Sequence, residues 1–398
     1  MDGHLRSMSG FGGGGWGGWG LSWQGWGMPA VPSLTWSQVH AWRLGRQFDV
    51  GSAVATARRL CGVQAQVTSA AELAVAVRLD TTGAGRDDTL AAALARGELL
   101  RTWAMRGTLH VLHPEDAAAF LTLAAAPRTW AKGSWQKTYL TLDQVERLEA
   151  GVAELLADGV PRTRDELVAH LRESPDGAQL ADQVASSWGS ALKPLAWQGI
   201  LCNGPSRGSK VTFTRPQDVA PGWPGLMAVD DAARHAIPAY LAAFGPADPA
   251  AFDAWLLRGA TSKPTLRQWF ADLGEELTPV DVEGTRLLAR TQDVEDLAAT
   301  DPANPALAVR LLPAFDQFVL GPGTGDAHLI PPGHRADVSR AAGWITPVVA
   351  TPDGVVGTWQ LEDGAADRVR VTLFDDRPKP PAALLAAEVE RIQDLLAP

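Results

Sequence analysis

The order of the predicted elements repeats along the chain: helices come first, and two strands joined by a tight turn follow them. In the first repeat, Thr35 or Ser37 can cap a helix that runs through Val39, Trp42 and Leu44. Further helices are predicted at residues 54–60, 70–79 and 89–96. The segment LLRTWAMRGTLHVLHPED then has β-branched and aromatic residues on both sides of a turn at residues 106–107, which is typical of a β-hairpin. This is the element order of a winged helix-turn-helix.

The same order is predicted twice more. In the second repeat, Thr163 and Glu166 have the spacing of a capping box, a later helix is predicted at residues 185–197, and LCNGPSRGSKVTFTRP reads as two strands and a turn. In the third repeat, two helices flank residues 245–246, PTLRQWFADL is another helix, and LTPVDVEGTRLLA gives two strands that turn at residues 283–284.

The two ends of the chain differ from the repeats. Residues 1–33 are mostly Gly and Trp without a periodic apolar face, and ordering so many glycines is entropically costly, so we expect a disordered leader. From Ala308 strands dominate, with a turn at residues 352–354, until the amphipathic helix AALLAAEVERIQDLLA. The sequence therefore predicts an α+β fold, with tandem winged helix-turn-helix domains at residues 34–140, 141–228 and 229–300. A small, mostly-β C-terminal domain with a terminal helix follows at 301–398.

Composition favours a cytoplasmic protein. A chain of 398 residues suggests two to four compact units, and its apolar content of 46% is that of a globular protein. We expect neither a transmembrane helix nor a secretory signal, because no apolar run has the required length. The two cysteines, Cys61 and Cys202, lie far apart without metal-ligand spacing, which predicts a reducing compartment and no structural zinc.

The net charge of −10 does not exclude a nucleic-acid partner, because a groove is governed by its local field. Residues 101–137 carry five basic and two acidic side chains, and residues 193–215 carry four basic and no acidic ones. The unevenness is also compatible with chance on a solvated surface.

Common catalytic signatures are missing from the sequence. It contains no GxGxxG between a strand and a helix, no GxxxxGK[ST], no HExxH and no GxSxG. The histidines are scattered without metal spacing, and a hydrogen-bonded structural role is the simpler interpretation of each. His110 is the best functional candidate among them, because it follows Arg106.

Two glutamines in LCGVQAQVTSAAE lie in an otherwise apolar neighbourhood. On a helix Gln64 and Gln66 would point in nearly opposite directions, whereas in an extended segment they would share one side and Ala65 would point inward. Two amides on one side can hold a polar group or a water molecule. The alternative is that the pair satisfies backbone groups of its own loop.

The segments LCGVQAQVTSAAELAVAVR and LLRTWAMRGTLHVLHPED together resemble the AlkZ-like DNA glycosylases, a winged-helix DNA-binding family with a Gln-apolar-Gln motif. The resemblance continues in LAWQGILCNGPSRGSKVTFTRP, AAFGPADPAAFDAW and LLPAFDQFVLG, and covers residues 34 to about 375. A sister branch carries Asp in place of the second Gln, so Gln66 assigns the chain to the AlkZ-type branch. The Gly/Trp-rich leader departs from the family pattern.

The resemblance implies an enzyme that excises alkylated bases, including N7-alkylpurines and crosslinked ones, with Gln64 and Gln66 as its catalytic residues. We therefore expect a monofunctional DNA glycosylase that leaves an abasic site and uses no metal or cofactor. The expected partner is double-stranded DNA carrying alkylated bases, and the protein is expected to be a monomer associated with the nucleoid. The prevalence of Arg, Ala and Gly is typical of high-GC genomes and fits DNA repair or antibiotic self-resistance in an actinobacterium.

The basic residues nearest the predicted hairpins are the candidates for holding DNA. They are Arg106, His110, Lys132, Lys137, Arg207, Lys210 and Arg215. Phosphate contacts position a protein without reading sequence, which suits a repair enzyme. Two alternatives remain open: a non-catalytic winged-helix transcriptional regulator, and a related protein that shields adducts without releasing them.

Overall fold

The computed structural model describes residues 31–48, 50–79, 88–174, 177–186, 189–362 and 369–397. Residues 1–30, which make up most of the predicted leader, lie outside the described residues. The first half contains, in chain order, β1 (Ser33–Leu34), α1 (Trp36–Gln47), α2 (Ala53–Arg59), β2 (Val63–Gln64), α3 (Thr68–Ala76), α4 (Leu90–Ala95), β3 (Leu100–Trp103), β4 (Leu109–Leu112), α5 (Pro114–Ala125), α6 (Gly133–Thr138), α7 (Leu142–Leu155), β5 (Arg162–Thr163), α8 (Arg164–Glu173), α9 (Gly177–Ser186) and α10 (Lys193–Trp197).

The second half continues the mixture of helices and strands. It contains β6 (Cys202–Arg207), β7 (Lys210–Thr214), α11 (Pro216–Val219), α12 (Val229–Phe244), α13 (Pro249–Leu257), α14 (Lys263–Ala271), β8 (Leu277–Val282), β9 (Thr285–Arg290), α15 (Val294–Ala299), β10 (Arg310–Leu312), α16 (Gln317–Leu320), α17 (Arg335–Val338), β11 (Val348–Thr351), β12 (Gly354–Leu361), β13 (Val369–Leu373) and α18 (Ala382–Leu396). Within the described ranges, no helix combines the length and the apolar character needed to cross a bilayer.

The hairpins of the first two repeats belong to one six-stranded sheet, ordered β2-β4-β3-β6-β7-β5. β3 and β4 form the predicted first hairpin, and β6 and β7 form the second. The two hairpins are joined where Arg101 of β3 pairs with Asn203 of β6. The first two repeats therefore share a sheet, whereas the sequence suggested separate units.

The third hairpin, β8-β9, lies in another sheet together with β1. Ser33 and Leu34 pair in parallel with Asp281 and Val282, and the Asp281 amide donates to the carbonyl of Pro32. The last residues of the predicted leader, Pro32 and Ser33, thus bond to the third hairpin. A two-residue strand completed by a partner almost 250 positions away leaves no local signal.

The helices of the third repeat pack against the back of the first hairpin. One core cluster combines Phe120 of α5, Tyr240 and Phe244 of α12, and Phe252 and Trp255 of α13. The rings of Tyr240 and Trp255 lie 5.0 Å apart, and Phe120 meets Trp255 edge-on at 5.4 Å. Because large rings bury much area and pack in specific geometries, this cluster fixes α13 beside the hairpin.

The helix predicted at residues 185–197 is interrupted. α9 ends at Ser186 and α10 begins at Lys193. Gly189 has a φ of 80°, and a Cβ atom there would lie 2.4 Å from Cζ2 of Trp103. The glycine turns the chain so that the second repeat can pack on β3.

The C-terminal unit is a four-stranded antiparallel sheet, β10-β11-β12-β13, with α18 packed on it through Ile392. The predicted turn at residues 352–354 joins β11 to β12, and the predicted terminal helix is α18. Trp359 donates from its indole to the carbonyl of Leu312, which ties β12 to the end of β10.

Candidate active site

The Gln-Ala-Gln motif starts where α2 ends in a tight left-handed turn. Cys61 has a φ of 52° and Gly62 a φ of 94°. The Gly62 amide donates to the carbonyl of Ala57 at 2.7 Å and the Cys61 amide to that of Arg58 at 3.1 Å, which is the hydrogen-bond pattern of a Schellman motif. The turn sends the chain directly from the helix into β2.

Replacing Gly62 with alanine is expected to destabilise the protein more than the same change at Gly51. Both residues have a positive φ, but a Cβ on Gly62 would lie 2.4 Å from Cδ2 of Leu112, whereas nothing lies within 4 Å of one on Gly51. The crowding should cost about 1–3 kcal/mol beyond the shared backbone strain. Urea unfolding of the two variants measures the difference, and equal midpoints would contradict it.

The first hairpin holds the first two residues of the motif in an extended conformation. Gln64 pairs with His110 across β2 and β4, and the Ala65 amide donates to the carbonyl of Leu109 at 2.8 Å. Arg101 donates to the carbonyl of Ala65 at 2.9 Å. Ala65 is 2% exposed, so it points inward as predicted. The two segments that carry the family resemblance therefore meet in space.

The two amides have different surroundings. Gln64 is only 7% exposed, and its Oε1 accepts a long hydrogen bond of 3.4 Å from Nη2 of Arg106. Arg106 also donates to the carbonyl of Trp255 at 3.0 Å, which connects the hairpin to α13. Gln66 is exposed in the bend just before α3. The amide of Gln64 is thus bonded to Arg106, whereas the amide of Gln66 is open to solvent.

His110 lies beneath the site and does not reach solvent. Its side chain is 0% exposed, and its Nδ1 lies 3.0 Å from the carbonyl oxygen of Thr108. Burial, followed by the charge of Arg106, lowers the pKa of His110 to about 3, so the ring is neutral at physiological pH. The expectation that His110 contacts DNA is not supported, because both faces of β4 are covered here: Val111, which points to the other face, is buried as well.

Arg106, Lys193 and Arg258 form what we call the basic cluster. Arg106 lies at the apex of the first hairpin, with a left-handed φ of 56°. Burial and the charge of Arg258 lower the pKa of Arg106 to about 10, and the same two causes lower the pKa of Lys193. The sequence indicated Lys193 only as the first residue of a basic stretch and gave no signal for Arg258.

The other predicted DNA-binding residues fall into two groups. Lys132 and Lys137 are exposed and have no ion pair within the described part of the chain. Arg207, Lys210 and Arg215 each meet a carboxylate at 2.7–2.8 Å, and their partners are Glu166, Asp165 and Asp218. The pairs of Arg207 and Lys210 are exposed, and such pairs contribute only about 0–1 kcal/mol. Arg207 and Lys210 can therefore exchange a carboxylate for a phosphate at small cost.

Other chemistry-bearing groups nearby have structural partners. Glu72, which follows the motif in α3, accepts from the Leu90 amide at 3.2 Å and so caps α4, while burial raises the pKa of its carboxyl. Among the described residues, no group of three or more His, Cys, Asp or Glu side chains is arranged to hold a metal ion. The polar side chains at the motif and the hairpin apex include the amides of Gln64 and Gln66, the guanidinium of Arg106 and the ammonium of Lys193.

Known proteins similar to this chain match it over nearly its whole length. The model of a family described as "DNA glycosylase AlkZ-like" matches residues 57–395. A Streptomyces sahachiroi protein named "Interstrand DNA cross-link repair glycosylase" is 46% identical over 364 residues, which are 90% of this chain and 95% of that protein. The solved structure of Streptomyces sahachiroi DNA glycosylase AlkZ matches with a TM-score of 0.84 at 45% identity, covering 91% of this chain and 97% of that one. The predicted α+β class is confirmed.

Proposed function

Because the chain belongs to the AlkZ-like family of DNA glycosylases, we propose that it hydrolyses the N-glycosidic bond of N7-alkylated purines, bulky and interstrand-crosslinked adducts included. The product is an abasic site. One observation carries the proposal: Gln64 and Ala65 are bonded to the first hairpin as an extended segment, and Gln66 is exposed in the bend that follows it.

The chemistry needs little from the protein. Alkylation at N7 leaves a positive charge on the purine, which therefore departs as a neutral base without being protonated. What remains is to stabilise an oxocarbenium-like sugar and to deliver water, as in glycoside hydrolysis after the acid step. A glutamine carbonyl accepts from water while its NH₂ group donates, and a positioned nucleophile removes several kcal/mol from a barrier.

Within this proposal the two glutamines divide the work. Arg106 occupies one lone pair of Gln64 Oε1 and so orients that amide, leaving its other hydrogen-bonding capacity for water or sugar. Gln66, open to solvent, is the amide that contacts the incoming water. No amine belongs to the motif, so we propose hydrolysis without a Schiff base and without a cofactor.

DNA binding is proposed to involve the tandem winged-helix units and their exposed cations. Lys132 and Lys137 on the first unit and Arg207, Lys210 and Arg215 on the second are the candidates for contacting phosphates. Such contacts would hold any duplex regardless of sequence. The name of the Streptomyces sahachiroi relative supports crosslinked DNA as substrate. We propose a monomeric enzyme at the nucleoid of the cytoplasm, serving repair or self-resistance to a DNA-alkylating natural product.

Incubating the protein with a duplex that contains one N7-methylguanine is expected to release the base. Heating in alkali then cleaves the strand at the abasic site, and borohydride added during the reaction should trap no protein–DNA adduct. A trapped adduct would contradict the monofunctional mechanism. Retention of the base would contradict the glycosylase; sequence-specific binding would then favour a regulator, and tight binding to modified DNA a shielding protein.

A further inference from the structure

The basic cluster is assembled from all three helical repeats. Arg106 comes from the apex of the first hairpin, Lys193 from the first turn of α10, and Arg258 from the residue after α13. Arg106 donates at 3.0 Å to the carbonyl of Trp255, three residues before Arg258 in the chain. A Cβ atom on Gly107 would lie 3.5 Å from Nζ of Lys193, so the lysine lies directly against the hairpin apex. The cluster therefore depends on the complete fold rather than on any one unit.

The charges of this cluster are not neutralised by the protein. Within the described residues, none of the three side chains forms an ion pair, whereas Arg207, Lys210 and Arg215 all do. Arg106 and Lys193 are partly buried, and both have a pKa lowered by burial and by the charge of Arg258. Like charges held together without a counter-ion are unfavourable, so the cluster is a site that an anion would stabilise.

The position of the cluster identifies the anion. Arg106 touches Gln64, so uncompensated positive charge beside it would oppose the developing positive charge on the sugar. A DNA phosphate bound there would supply the missing negative charge and hold the strand against the amides.

We propose that Arg106, Lys193 and Arg258 bind the phosphodiester groups next to the damaged nucleotide, on the strand that carries it. This inference rests on the proposed function and names the contact that aligns the substrate with the motif. Lys193 and Arg258 are then positioning residues, since they act on the reacting sugar through its phosphates.

The test combines the removal of charged side chains from the protein with the removal of single phosphate charges from the DNA. Lys193→Gln/Arg258→Gln is compared with Arg335→Gln/Lys379→Gln, which removes one exposed lysine and one exposed arginine from the C-terminal unit. Each is measured for binding and for base release on N7-methylguanine duplexes in which one flanking phosphate at a time is a neutral methylphosphonate. The charge-preserving Lys193→Arg/Arg258→Lys variant checks that the fold tolerates changes here.

For the cluster variant, we expect the slope of log affinity against log salt to fall by about 1.8, because each phosphate contact contributes about 0.9. At one or two flanking positions the methylphosphonate should weaken DNA binding by the wild type and by the control variant. At the same positions it should not weaken binding by the cluster variant any further, because that variant has already lost the side chains that contact the phosphate. The charge-preserving variant should retain most of the wild-type slope.

Two results separate the inference from the proposed function. If wild type releases the base but the cluster variant keeps the full slope, or protein and DNA changes weaken binding independently at every flanking position, the cluster does not bind these phosphates. If wild type releases no base, the proposed function fails, and the binding measurements on the same duplexes still decide the assignment of the cluster.

Discussion

Gln66→Ala is expected to slow base release from N7-methylguanine duplex by about 10²-fold or more while leaving stability almost unchanged. The side chain is exposed and no hydrogen bond from it contributes to the fold within the described region. Its proposed role is to aim a water molecule, and losing the alignment of a reactant costs on the order of 10²-fold in rate. Single-turnover assays combined with urea unfolding measure the two quantities on the same preparation.

Gln64→Ala should cause a similar loss of rate with a moderate loss of stability. The substitution removes an acceptor of Arg106 and leaves a small gap at β2, which together should lower the free energy of unfolding by about 1 kcal/mol or more. Gln268→Ala, which removes an exposed glutamine from α14, is the matched control and should retain wild-type rates. If Gln66→Ala behaved like Gln268→Ala, the exposed amide would have no part in catalysis.

The first hairpin and the end of α2 could be predicted from sequence, because each is determined by residues close together in the chain. The hairpin was recognisable from the residues around its turn. The two-residue spacing of Gln64 and Gln66 indicated that Ala65 would point inward if the segment were extended. Gly62 before the motif stops α2, which short-range pattern reading also detects. Each of these features depends on residues within about ten positions of one another.

The position of His110 could not be predicted from its neighbours in sequence. Its closeness to Arg106 in sequence suggested a shared role at the DNA surface. In the hairpin Arg106 occupies the apex, whereas His110 lies on a paired strand whose side chains alternate between faces. Both faces of β4 are covered at this point, since Val111 is buried as well as His110. That covering comes from the packing of other units, so the sequence of the hairpin alone could not predict it.

The basic cluster could not have been predicted from sequence for a related reason. Lys193 and Arg258 are brought to Arg106 by the break at Gly189, by the shared sheet of the first two repeats, and by the aromatic packing of α13. None of these long-range contacts leaves a pattern in the neighbouring residues. The number of charged residues in a segment reveals a basic stretch, but it does not show which of the basic side chains lack an ion pair with a carboxylate in the folded protein.

A buried ion pair anchors the helix that follows the motif. Arg78, just after α3, donates from both terminal nitrogens to the two carboxylate oxygens of Asp316 at 2.8 Å, and both side chains are 0% exposed. Arg78 also donates to Oε1 of Gln47, and Asp316 accepts from the Phe318 amide. The pair thus joins α1, α3 and the C-terminal unit at one point.

Asp316→Ala is expected to lower the free energy of unfolding by about 3–5 kcal/mol, because it leaves the guanidinium of Arg78 buried without its partner. Asp182→Ala is the matched control, since Asp182 meets Arg172 at 3.2 Å in an exposed pair and should contribute less than about 1 kcal/mol. Urea unfolding midpoints compare the two. The double variant Arg78→Met/Asp316→Leu should lose less than Asp316→Ala alone, since it removes both charges together.

Asp316→Ala also tests whether the buried ion pair supports the catalytic motif. Gln66 lies two residues before α3, and the Arg78–Asp316 pair lies at the other end of that helix. If the pair keeps α3 in place, Asp316→Ala should reduce base release at temperatures where the protein is still folded, and Arg78→Met/Asp316→Leu should restore part of it. Full activity in folded Asp316→Ala would mean that the hairpin contacts at Ala65 hold the motif without help from the C-terminal unit.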